Sequence, residues 1–416
     1  MKIQAIKGMS DILPPESQVW EEVEAKARKL FRTYGFQEIR TPLVESKNLF
    51  VRSVGQTSAI VEKEMYDFED KKGLALALRP EGTAPVVRAY IEAALHAKDP
   101  IAKLCYFGPM FRYEAPQKGR ARQFYQIGAE LIGSEAPLAD AEILIMLDHF
   151  FRELGIKNNR LEINSLGCKE CRPNYLNAIG DFLKGKIKKF CDDCQRRSQK
   201  NPLRVLDCKN ETCRELSKEI PLIHDFWCEA CQKHYREVRG LLVAGHVSFK
   251  ENLRIVRGLD YYCRTAFEIL NDGLGAQDAL AAGGRYDGLV KDLGGPDTPG
   301  VGFAIGMERL MILLGESQQV TDSALKNLIY FVLLGNEAQQ KTLSVIQELR
   351  ARGTPVECGY GGSLKSQLRR ADKLKAKQVV IIGEDEVKKE TAMLKDMATG
   401  QQQEVLLGRL VEKVVS

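Results

Sequence analysis

A predicted hairpin carries side chains that could together hold a charged, flat ligand. Its first strand ends in Phe111-Arg112-Tyr113-Glu114, and its second strand returns over residues 122–130 after a polar loop. Alternation along the two strands gives one sheet surface the side chains of Arg112, Glu114, Phe124, Gln126, Gly128 and Glu130. An arginine fork can bind a phosphate through two hydrogen bonds, and an aromatic ring can stack on a base. The hairpin is therefore predicted to bind a nucleotide.

A second segment, Arg257-Gly258-Leu259-Asp260-Tyr261-Tyr262, sets a cation and two phenols at the mouth of a predicted strand. The pattern after the glycine predicts a strand through Glu268, with Tyr261 and Tyr262 on opposite faces. Taken alone, an ordinary strand explains this pattern well, because tyrosine and threonine are common strand residues. The neighbouring motifs favour a ligand site instead.

A third segment, Gly302-Phe303-Ala304-Ile305-Gly306, has a small residue at every second position, so one face is nearly bare backbone. A bare strand lets a flat ligand lie close to the sheet, and Glu308 and Arg309 follow at the start of a predicted helix. The spacing from Gly300 to Gly306 is one residue longer than a dinucleotide-binding fingerprint, and no obvious parallel βαβ unit follows. The chain also lacks a Gly-x4-Gly-Lys-Ser/Thr phosphate loop, so ATP would be bound by another fold.

Eight of the 11 cysteines fall between residues 168 and 231, in closely spaced pairs. The pairs are Cys168 and Cys171, Cys191 and Cys194, Cys208 and Cys213, and Cys228 and Cys231. Thiolates two residues apart can reach one tetrahedral ion, so in a reducing compartment this spacing predicts one or two structural zinc ions. A small module with buried, free cysteines is the alternative, and the spacing does not show which four thiolates would share an ion.

The rest of the chain must position these groups. Its 416 residues, 44% hydrophobic and 28% charged, are typical of a soluble globular protein with two or three domains. Periodicity predicts helices over residues 15–34 and 138–154, while residues 64–132 read mostly as strands and turns. We predict an α/β protein whose α+β catalytic domain, residues 1–325, is built on a mainly antiparallel sheet. A cysteine-rich, mostly helical insert interrupts it at residues 165–245.

After a polar linker at residues 315–326, short predicted strands alternate with helices. This alternation predicts a separate α/β domain over residues 326–416. One of its helices is surrounded by the basic residues Arg369, Arg370, Lys373, Lys375 and Lys377. Such a helix can meet phosphates, although a solvated helix face is the commoner meaning of a basic cluster. The net charge of +5 is small, so any nucleic-acid surface must be local.

The N-terminal residues lack the apolar region of a signal peptide, and no apolar run approaches the about 18 residues of a membrane span. We therefore expect a cytoplasmic protein without membrane contact.

Together these segments resemble the three signatures of class II aminoacyl-tRNA synthetases: the helix and strand ending at Pro42, the hairpin with Arg112, and residues 302–309. Four stretches are similar to those of histidyl-tRNA synthetases: Lys7-Gly8-Met9-Ser10-Asp11, Arg79-Pro80-Glu81-Gly82-Thr83, Arg257-Gly258-Leu259-Asp260-Tyr261-Tyr262 and Gly283-Gly284-Arg285-Tyr286-Asp287. The resemblance spans essentially the full length. It implies activation of L-histidine by ATP to histidyl-adenylate, with release of pyrophosphate, and transfer of histidine to the 3′ end of histidine tRNA.

The resemblance also implies roles for individual residues. The residues implied at ATP are Arg112, Glu114, Arg120, Phe124, Arg257 and Arg309, of which Arg112, Arg257 and Arg309 are the catalytic arginines. Those implied at histidine are Glu81, Gly82, Thr83, Gln126, Glu130, Tyr261, Tyr262 and Tyr286. Arg257 would stabilise charge at the α-phosphate, where related enzymes use a metal ion, and Glu130 and Tyr262 would bracket the imidazole.

Further implications are Mg²⁺ accompanying ATP, a homodimer, and a C-terminal domain that binds the anticodon. Many relatives lack the cysteine pairs, so zinc would be structural and not catalytic. A regulatory subunit of histidine biosynthesis, which shares the fold without charging tRNA, is the alternative. That paralogue usually lacks the C-terminal domain and degrades the arginine motifs, whereas Arg112, Arg257 and Arg309 are all present here. A nucleic-acid-binding module without catalysis would show basic patches but no histidine-shaped pocket.

Overall fold

The computed structural model describes residues 3–317 and 327–415, apart from the single positions Thr57, Asp207, Lys209 and Asp278. The chain divides into two compact units, Met1–Ser317 and Gln318–Ser416. Most of the predicted linker, together with the predicted boundary after residue 325, lies outside the described residues. Among the described helices, none is long and apolar enough to cross a membrane.

The described part of the first unit contains one large sheet and one small sheet. Its strands are β1 (Gln37–Glu38), β2 (Val44–Ser46), β3 (Asp67–Glu69), β4 (Ala75–Leu78), β5 (Ala102–Phe111), β6 (Gln123–Ile132), β7 (Asn159–Ser165), β8 (Phe249–Glu251), β9 (Cys263–Asn271), β10 (Ala279–Arg285) and β11 (Gly300–Gly306). The large sheet has the order β1-β5-β6-β11-β10-β9-β7-β8, and β2-β4-β3 form the small one. Only the outer pairs β1/β5 and β7/β8 of the large sheet are parallel among these described strands, so the mainly antiparallel sheet is confirmed.

Helices flank the sheets on both sides. They are α1 (Glu16–Thr33), α2 (Lys47–Val54), α3 (Thr83–Glu92), α4 (Leu95–Lys98), α5 (Pro137–Glu153), α6 (Arg172–Lys184), α7 (Asp192–Lys200), α8 (Glu211–Ser217), α9 (Glu229–Ala244), α10 (Leu289–Asp292) and α11 (Met307–Ser317). Shorter turns are the π-helix Ile60–Glu64 and the 3₁₀ helices Ile187–Lys189, Pro202–Val205, Ile223–Phe226 and Asp272–Gln277. The interpretation of residues 64–132 as one run of sheet strands is wrong in two places, because α3 and α4 interrupt it and β4 belongs to the small sheet.

Strand alternation separates a core face from a ligand face. On β6 and β11 every second side chain packs into the main core: Ile127, Ala129, Leu131, Val301, Phe303 and Ile305. This core also contains residues of α1, α5, α9 and α11, and the Phe303 ring meets Phe31 of α1 edge to face at 5.9 Å between centroids. The intervening positions of β6 and β11 include the polar residues Gln126 and Glu130 and several glycines and other small residues. The opposite face of the sheet can therefore form a site.

The cysteine-rich region is helical, as predicted, and most of it has its own apolar core. That core includes Tyr175 and Ile179 of α6, Cys194 of α7 and Cys213 of α8. Helix α9 differs, because its residues Val238 and Leu242 belong to the main core of the unit. The insert is thus tied to the sheet through α9.

The second unit is an α/β structure. Its elements are β12 (Ile329–Leu333), α12 (Asn336–Ala351), β13 (Val356–Cys358), α13 (Leu364–Lys373), β14 (Gln378–Ile382), α14 (Glu384–Lys389), β15 (Thr391–Asp396), β16 (Gln402–Leu406), the 3₁₀ helix Leu407–Arg409 and α15 (Leu410–Val415). The sheet order is β13-β12-β14-β15-β16, with β13, β12 and β14 parallel. The predicted alternation is confirmed, but the antiparallel pair β15/β16 was missed. Strand β16 is mostly exposed and polar, so it lacks the apolar alternation that marks a strand.

Candidate active site

One cavity opens on the ligand face of the large sheet. It is lined by these predicted residues: Glu81, Thr83, Arg112, Glu114, Arg120, Phe124, Gln126, Arg257, Tyr261, Tyr262 and Arg309. The fold thus gathers segments that lie more than two hundred residues apart in the sequence. The other three predicted residues, Gly82, Glu130 and Tyr286, do not line the cavity and lie behind its wall.

Three arginines make one half of the cavity cationic. The Arg112 guanidinium lies 5.1 Å from the centroid of the Phe124 ring, and its Nε donates to the Pro80 carbonyl at 2.9 Å. Arg309 donates from Nε to the Gly119 carbonyl at 3.2 Å, which ties helix α11 to the hairpin loop. Burial, together with nearby Arg120 and Arg112, lowers the pKa of Arg309. An anion in this half would relieve the repulsion among the cations.

The carboxylate of Glu114 lies in this cationic half and contacts arginines on both sides of the hairpin loop. Its Oε2 accepts a hydrogen bond from Arg120 at 2.8 Å, and its Oε1 lies 3.9 Å from Arg112. Glu308 of α11 also lines the cavity, and its Oε1 accepts from the backbone N–H of Tyr125 at 2.9 Å. Burial raises the pKa of Glu308 to about 7. The arginines are therefore accompanied by two carboxylates on the same cavity wall.

The loop that carries Arg257 makes the other half of the cavity. Arg257 forms an ion pair with Glu268 and lies 5.4 Å from the centroid of the Tyr262 ring. Its Nε is buried and has no hydrogen-bond partner among the described residues. A buried donor without a partner costs free energy in a folded protein. Since Arg257 lines the cavity, its guanidinium can meet a ligand there.

Tyr261 and Tyr262 lie together, so the prediction that they occupy opposite faces of a strand is wrong. Both are buried, both line the cavity, and their ring centroids are 4.6 Å apart. Strand β9 begins only at Cys263, and the register with β10 shifts next to Arg264, whose φ is +45°. Alternation cannot be carried through such an irregularity. The two phenols therefore belong to a loop and not to the strand.

Glu81 is held at the beginning of α3. Its Oε2 accepts from the backbone N–H of Thr83 at 2.7 Å, and its Oε1 accepts from that of Ala84 at 2.8 Å. These hydrogen bonds satisfy donors that the first turn of a helix leaves free. Burial raises the pKa of Glu81, while these two backbone bonds oppose the shift. The carboxylate is thereby fixed in the cavity wall 3.5 Å from the Tyr261 hydroxyl.

Glu130 lies one layer behind the cavity. Its Oε1 accepts from the Thr83 hydroxyl at 2.7 Å, and its Oε2 accepts from the Tyr286 hydroxyl at 2.7 Å. The side chain is fully buried, and burial raises its pKa to about 8. Gly302 permits this position, because a Cβ there would be 1.8 Å from Glu130 Oε2. The small residue of β11 thus makes room for a carboxylate as well as for a ligand.

The raised pKa of Glu130 makes a pH-dependent prediction for Glu130→Gln. The folded protein favours the protonated form of Glu130, so ionisation of this carboxyl destabilises the fold. This destabilisation is absent below the pKa of the unfolded state, about 4.3, and increases as pH rises towards about 8. The neutral amide carries no such cost. We expect the melting temperature of ligand-free Glu130→Gln, relative to that of the parent protein, to increase as pH rises from 5 to 8. Thermal denaturation of both proteins across this pH range measures the difference, and a variant of the exposed Glu92, Glu92→Gln, is the control. Parallel pH profiles of melting temperature for Glu130→Gln and the parent protein would contradict the prediction.

A buried ion pair fixes β10, which contributes residues to the cavity wall, to the neighbouring helices. Arg285 NH2 donates to Asp140 Oδ2 at 2.6 Å, and both side chains are fully buried. His234 of α9 lies 3.6 Å from the same oxygen. Burial alone would raise the pKa of Asp140, but His234 and Arg285 lower it to about 2. Arg285, which belongs to one of the sequence motifs, is therefore a structural residue that joins β10, α5 and α9.

The eight paired cysteines gather into two groups of four. One consists of Cys168, Cys171, Cys228 and Cys231, and the other of Cys191, Cys194, Cys208 and Cys213. Within each group the four Sγ atoms all lie within 4.8 Å of one another. The spacing of the sequence pairs left this grouping open. The fold combines the first pair with the fourth and the second with the third.

Comparison with known proteins identifies the family. The family model for histidyl-tRNA synthetase matches residues 8–180 and 184–310, and that for an anticodon binding domain matches residues 329–416. The chain belongs to the histidyl-tRNA synthetase family. The resemblance inferred from its motifs is thereby confirmed.

Relatives within the histidyl-tRNA synthetase family match nearly the whole chain. A histidine–tRNA ligase of Geobacter sulfurreducens is 52% identical over 406 residues, 97% of either chain. That of Syntrophotalea carbinolica is 50% identical over 408 residues, 98% of this chain and 97% of the relative. The crystal structure of an apo histidyl-tRNA synthetase from S. aureus has a TM-score of 0.85 at 36% identity and covers 100% of both chains. These full-length matches to histidine–tRNA ligases do not favour the alternative function, a regulatory subunit of histidine biosynthesis.

Several residues that line this synthetase cavity were not assigned to it from the sequence, Tyr106 and Glu308 among them. Tyr106 of β5 is buried and lines the cavity. A Cβ at Gly82 would lie 2.2 Å from its ring, and one at Gly128 would lie 2.1 Å from it. Tyr106 is on the same strand face as Arg112, so the alternation that found the arginine predicts the tyrosine too. Gly82, predicted as a ligand residue, therefore provides space for this ring.

Proposed function

We propose that the chain is a histidine–tRNA ligase that activates L-histidine with ATP and transfers the histidine to the 3′ end of histidine tRNA. The observation that carries this proposal is the division of a single cavity. One half holds Arg112, Arg309 and Phe124, and the other holds Glu81, Gln126 and two tyrosines. The first half suits a phosphorylated base, and the second suits a small zwitterion with a polar ring.

In the cationic half we assign the phosphates to arginines and the base to Phe124. Arg112 would bind the α-phosphate, and Arg309 would lie over the base and near the γ-phosphate. Phe124 would stack on adenine, and Glu114 would face its amino group once ATP displaces the contact with Arg120. The carboxylate of Glu308 lines the same cavity and suits Mg²⁺, which takes oxygen ligands together with substrate phosphates. When bound with ATP, Mg²⁺ would neutralise phosphate charge.

In the other half we assign the amino-acid contacts. Glu81, Thr83 and Gln126 would receive the α-ammonium, and Gln126 Oε1 is buried with no hydrogen-bond partner among the described residues. Tyr262 would contact the imidazole, with Tyr261 beside it. Glu130, which the resemblance places at the imidazole, lies behind the cavity wall here, so Glu130 and Tyr286 would support the pocket through the Thr83 hydroxyl. A pocket of buried polar groups rejects amino acids that leave those groups unpaired, by factors of about 10⁴ or more.

The chemistry asks the protein mainly for positioning. The carboxylate of histidine attacks the α-phosphorus, a new P–O bond forms, and pyrophosphate leaves with the electrons of the broken bond. Negative charge grows on the α-phosphate oxygens during this step. Arg257, which lines the cavity, would stabilise that charge more strongly in the transition state than in the ground state.

A charging assay tests the proposed function. Full-length protein, ATP, Mg²⁺ and labelled histidine should transfer label to acid-precipitable tRNA from an unfractionated tRNA pool. Omission of ATP should abolish transfer. Transfer of another amino acid in place of histidine would contradict the proposal.

For the C-terminal unit we propose binding of the tRNA anticodon by residues 326–416. The catalytic unit has its own cores, so a chain ending at Ser317 should fold and retain histidine-dependent pyrophosphate exchange within about threefold. Charging of tRNA should fall at least about tenfold, because the anticodon contacts are lost. Both activities are measured on the same preparation. Charging as fast as in the full chain would contradict the assignment.

We also propose a homodimer. The small sheet β2-β4-β3 and its surroundings expose large apolar side chains at Leu43, Val44, Phe68 and Leu74. Exposed apolar side chains grouped in this way are typical of a protein interface. They adjoin the segment ending at Pro42, which resembles the dimer-forming signature of class II synthetases. Structural zinc in the two cysteine groups completes the proposed set of ligands.

A further inference from the structure

The loop of residues 257–262 is an active-site element with open space on both sides. Arg257 and Leu259 line the ligand cavity and also a second cavity of about 410 Å³ between the loop and the cysteine-rich insert. Tyr261 and Tyr262 pack in an apolar cluster, and the Asp260 N–H donates to the Val54 carbonyl at 3.3 Å. On the side of the insert the loop borders the second cavity, so its position there depends on specific contacts at the cavity rim.

Those contacts come from the insert. Arg204 donates from Nη1 to the Gly258 carbonyl at 2.5 Å and from Nη2 to Asp260 Oδ1 at 2.7 Å. Asn201 Nδ2 donates to the same carboxylate oxygen at 3.1 Å. Arg172 donates to the Tyr262 carbonyl. Two arginines of the insert thus hold the loop at its beginning, its middle and its end.

Each arginine is close in sequence to one group of four cysteines. Arg172 follows Cys171 directly and begins α6. Arg204 lies in the 3₁₀ helix Pro202–Val205, between Cys194 and Cys208, and it is only 8% exposed. Each arginine thus lies within four residues of a cysteine of its group, so the conformation of that group bears directly on the backbone that carries the arginine.

The sulfur geometry suits a tetrahedral ion. Zinc–sulfur bonds of about 2.3 Å place the corners of a tetrahedron about 3.8 Å apart. The Sγ separations are 3.7 Å for Cys168 and Cys171, 3.6 Å for Cys171 and Cys231, and 3.8 Å for Cys191 and Cys208. A disulfide would need about 2.05 Å, and all eight thiols are free.

We propose that two four-cysteine zinc centres hold Arg172 and Arg204 in place, and that these arginines position the loop of residues 257–262 for histidine activation. Zinc therefore acts on the amino-acid site and not only on the shape of the insert. Helices α7 and α8 have 9 and 7 residues, too short to be stable without tertiary or metal contacts. Without the ions, Arg204 loses its support and the loop loses its contacts with Gly258 and Asp260. The inference rests on the proposed histidine–tRNA ligase function.

The test uses full-length variants and histidine-dependent pyrophosphate exchange. The parent protein, purified under reducing conditions, should contain about two zinc ions per chain by elemental analysis. Arg204→Met should keep both ions and lower the melting temperature no more than Arg254→Met does, but raise KM for histidine about tenfold or more, as expected for the loss of a charge-assisted hydrogen bond. Arg204→Lys should recover part of the affinity, because an ammonium can still reach Asp260. Arg172→Met should also raise KM for histidine.

A matched control separates loop positioning from general stability. Arg254 also donates to carbonyls of the insert, at 3.0 Å to Ser217 and 2.9 Å to Ile220, but it does not contact residues 258–262 through these bonds. Arg254→Met should lower the melting temperature and leave KM for histidine within about twofold.

Two results would overturn the inference. One is a parent protein that lacks zinc but exchanges pyrophosphate normally. The other is unchanged kinetics in both Arg204→Met and Arg172→Met. A parent protein that gives no histidine-dependent exchange would instead contradict the proposed function.

Discussion

Arg257→Ala is expected to form histidyl-adenylate about 10²–10³-fold more slowly than the parent protein while binding histidine with nearly unchanged affinity. The reason is that Arg257 would contact charge that develops only during the attack on the α-phosphorus. Arg257 lines the cavity, and its ion pair with Glu268 already holds it in place in the ligand-free protein. Single-turnover adenylate formation measures the rate, and equilibrium dialysis with labelled histidine measures the affinity.

Arg264→Ala is the matched control for this variant. Arg264 lies seven residues along the chain and pairs with Asp287 at 4.0 Å, but it does not line the ligand cavity. Its adenylate rate should stay within about threefold of the parent rate. Equal losses of histidine affinity and adenylate rate in Arg257→Ala would contradict a role specific to the transition state.

Asp140→Ala is expected to lower the free energy of unfolding by about 3–5 kcal/mol, because it leaves the Arg285 guanidinium buried without its partner carboxylate. Both side chains are fully buried, and three elements meet at this pair. The pKa of Asp140 is lowered to about 2, so its stabilisation is present above the unfolded pKa of about 3.9 and is lost only as pH falls through about 2. At pH 7 the full loss should appear in urea denaturation.

Asp148→Ala in the same helix is its control. Asp148 pairs with Arg152 at 2.8 Å on the exposed side of α5. Surface pairs of this kind contribute about 0–1 kcal/mol. Losses of similar size in the two variants would show that the Asp140 pair does not support the fold as described.

Strand alternation indicated which side chains of β6 share the ligand face, but it did not give the shape of the neighbouring loop. The face of β6 that carries Phe124 and Gln126 follows from alternation, because a regular strand sends every second side chain to one side. The same rule failed at Tyr261 and Tyr262, since the chain enters β9 only after them and bends at Arg264. A strand period says nothing about where a strand begins.

Long-range groupings were also beyond the sequence. The cysteine spacing indicated metal ligands, but only the fold brings Cys168 to Cys228, with Sγ atoms 3.8 Å apart. Asp260 had no assigned role, because its partner Arg204 lies in the insert, 56 residues away in the chain. Such contacts depend on tertiary packing, which local propensity does not encode.

Amino-acid-dependent exchange between ATP and labelled pyrophosphate tests the central claim most directly. Each of the twenty amino acids is supplied in turn to the full-length protein with Mg²⁺ and ATP. Histidine alone should stimulate exchange, because its ring and its ammonium together satisfy the buried groups of the pocket. Exchange with a different amino acid, or none with histidine, would contradict a site built to join histidine to ATP.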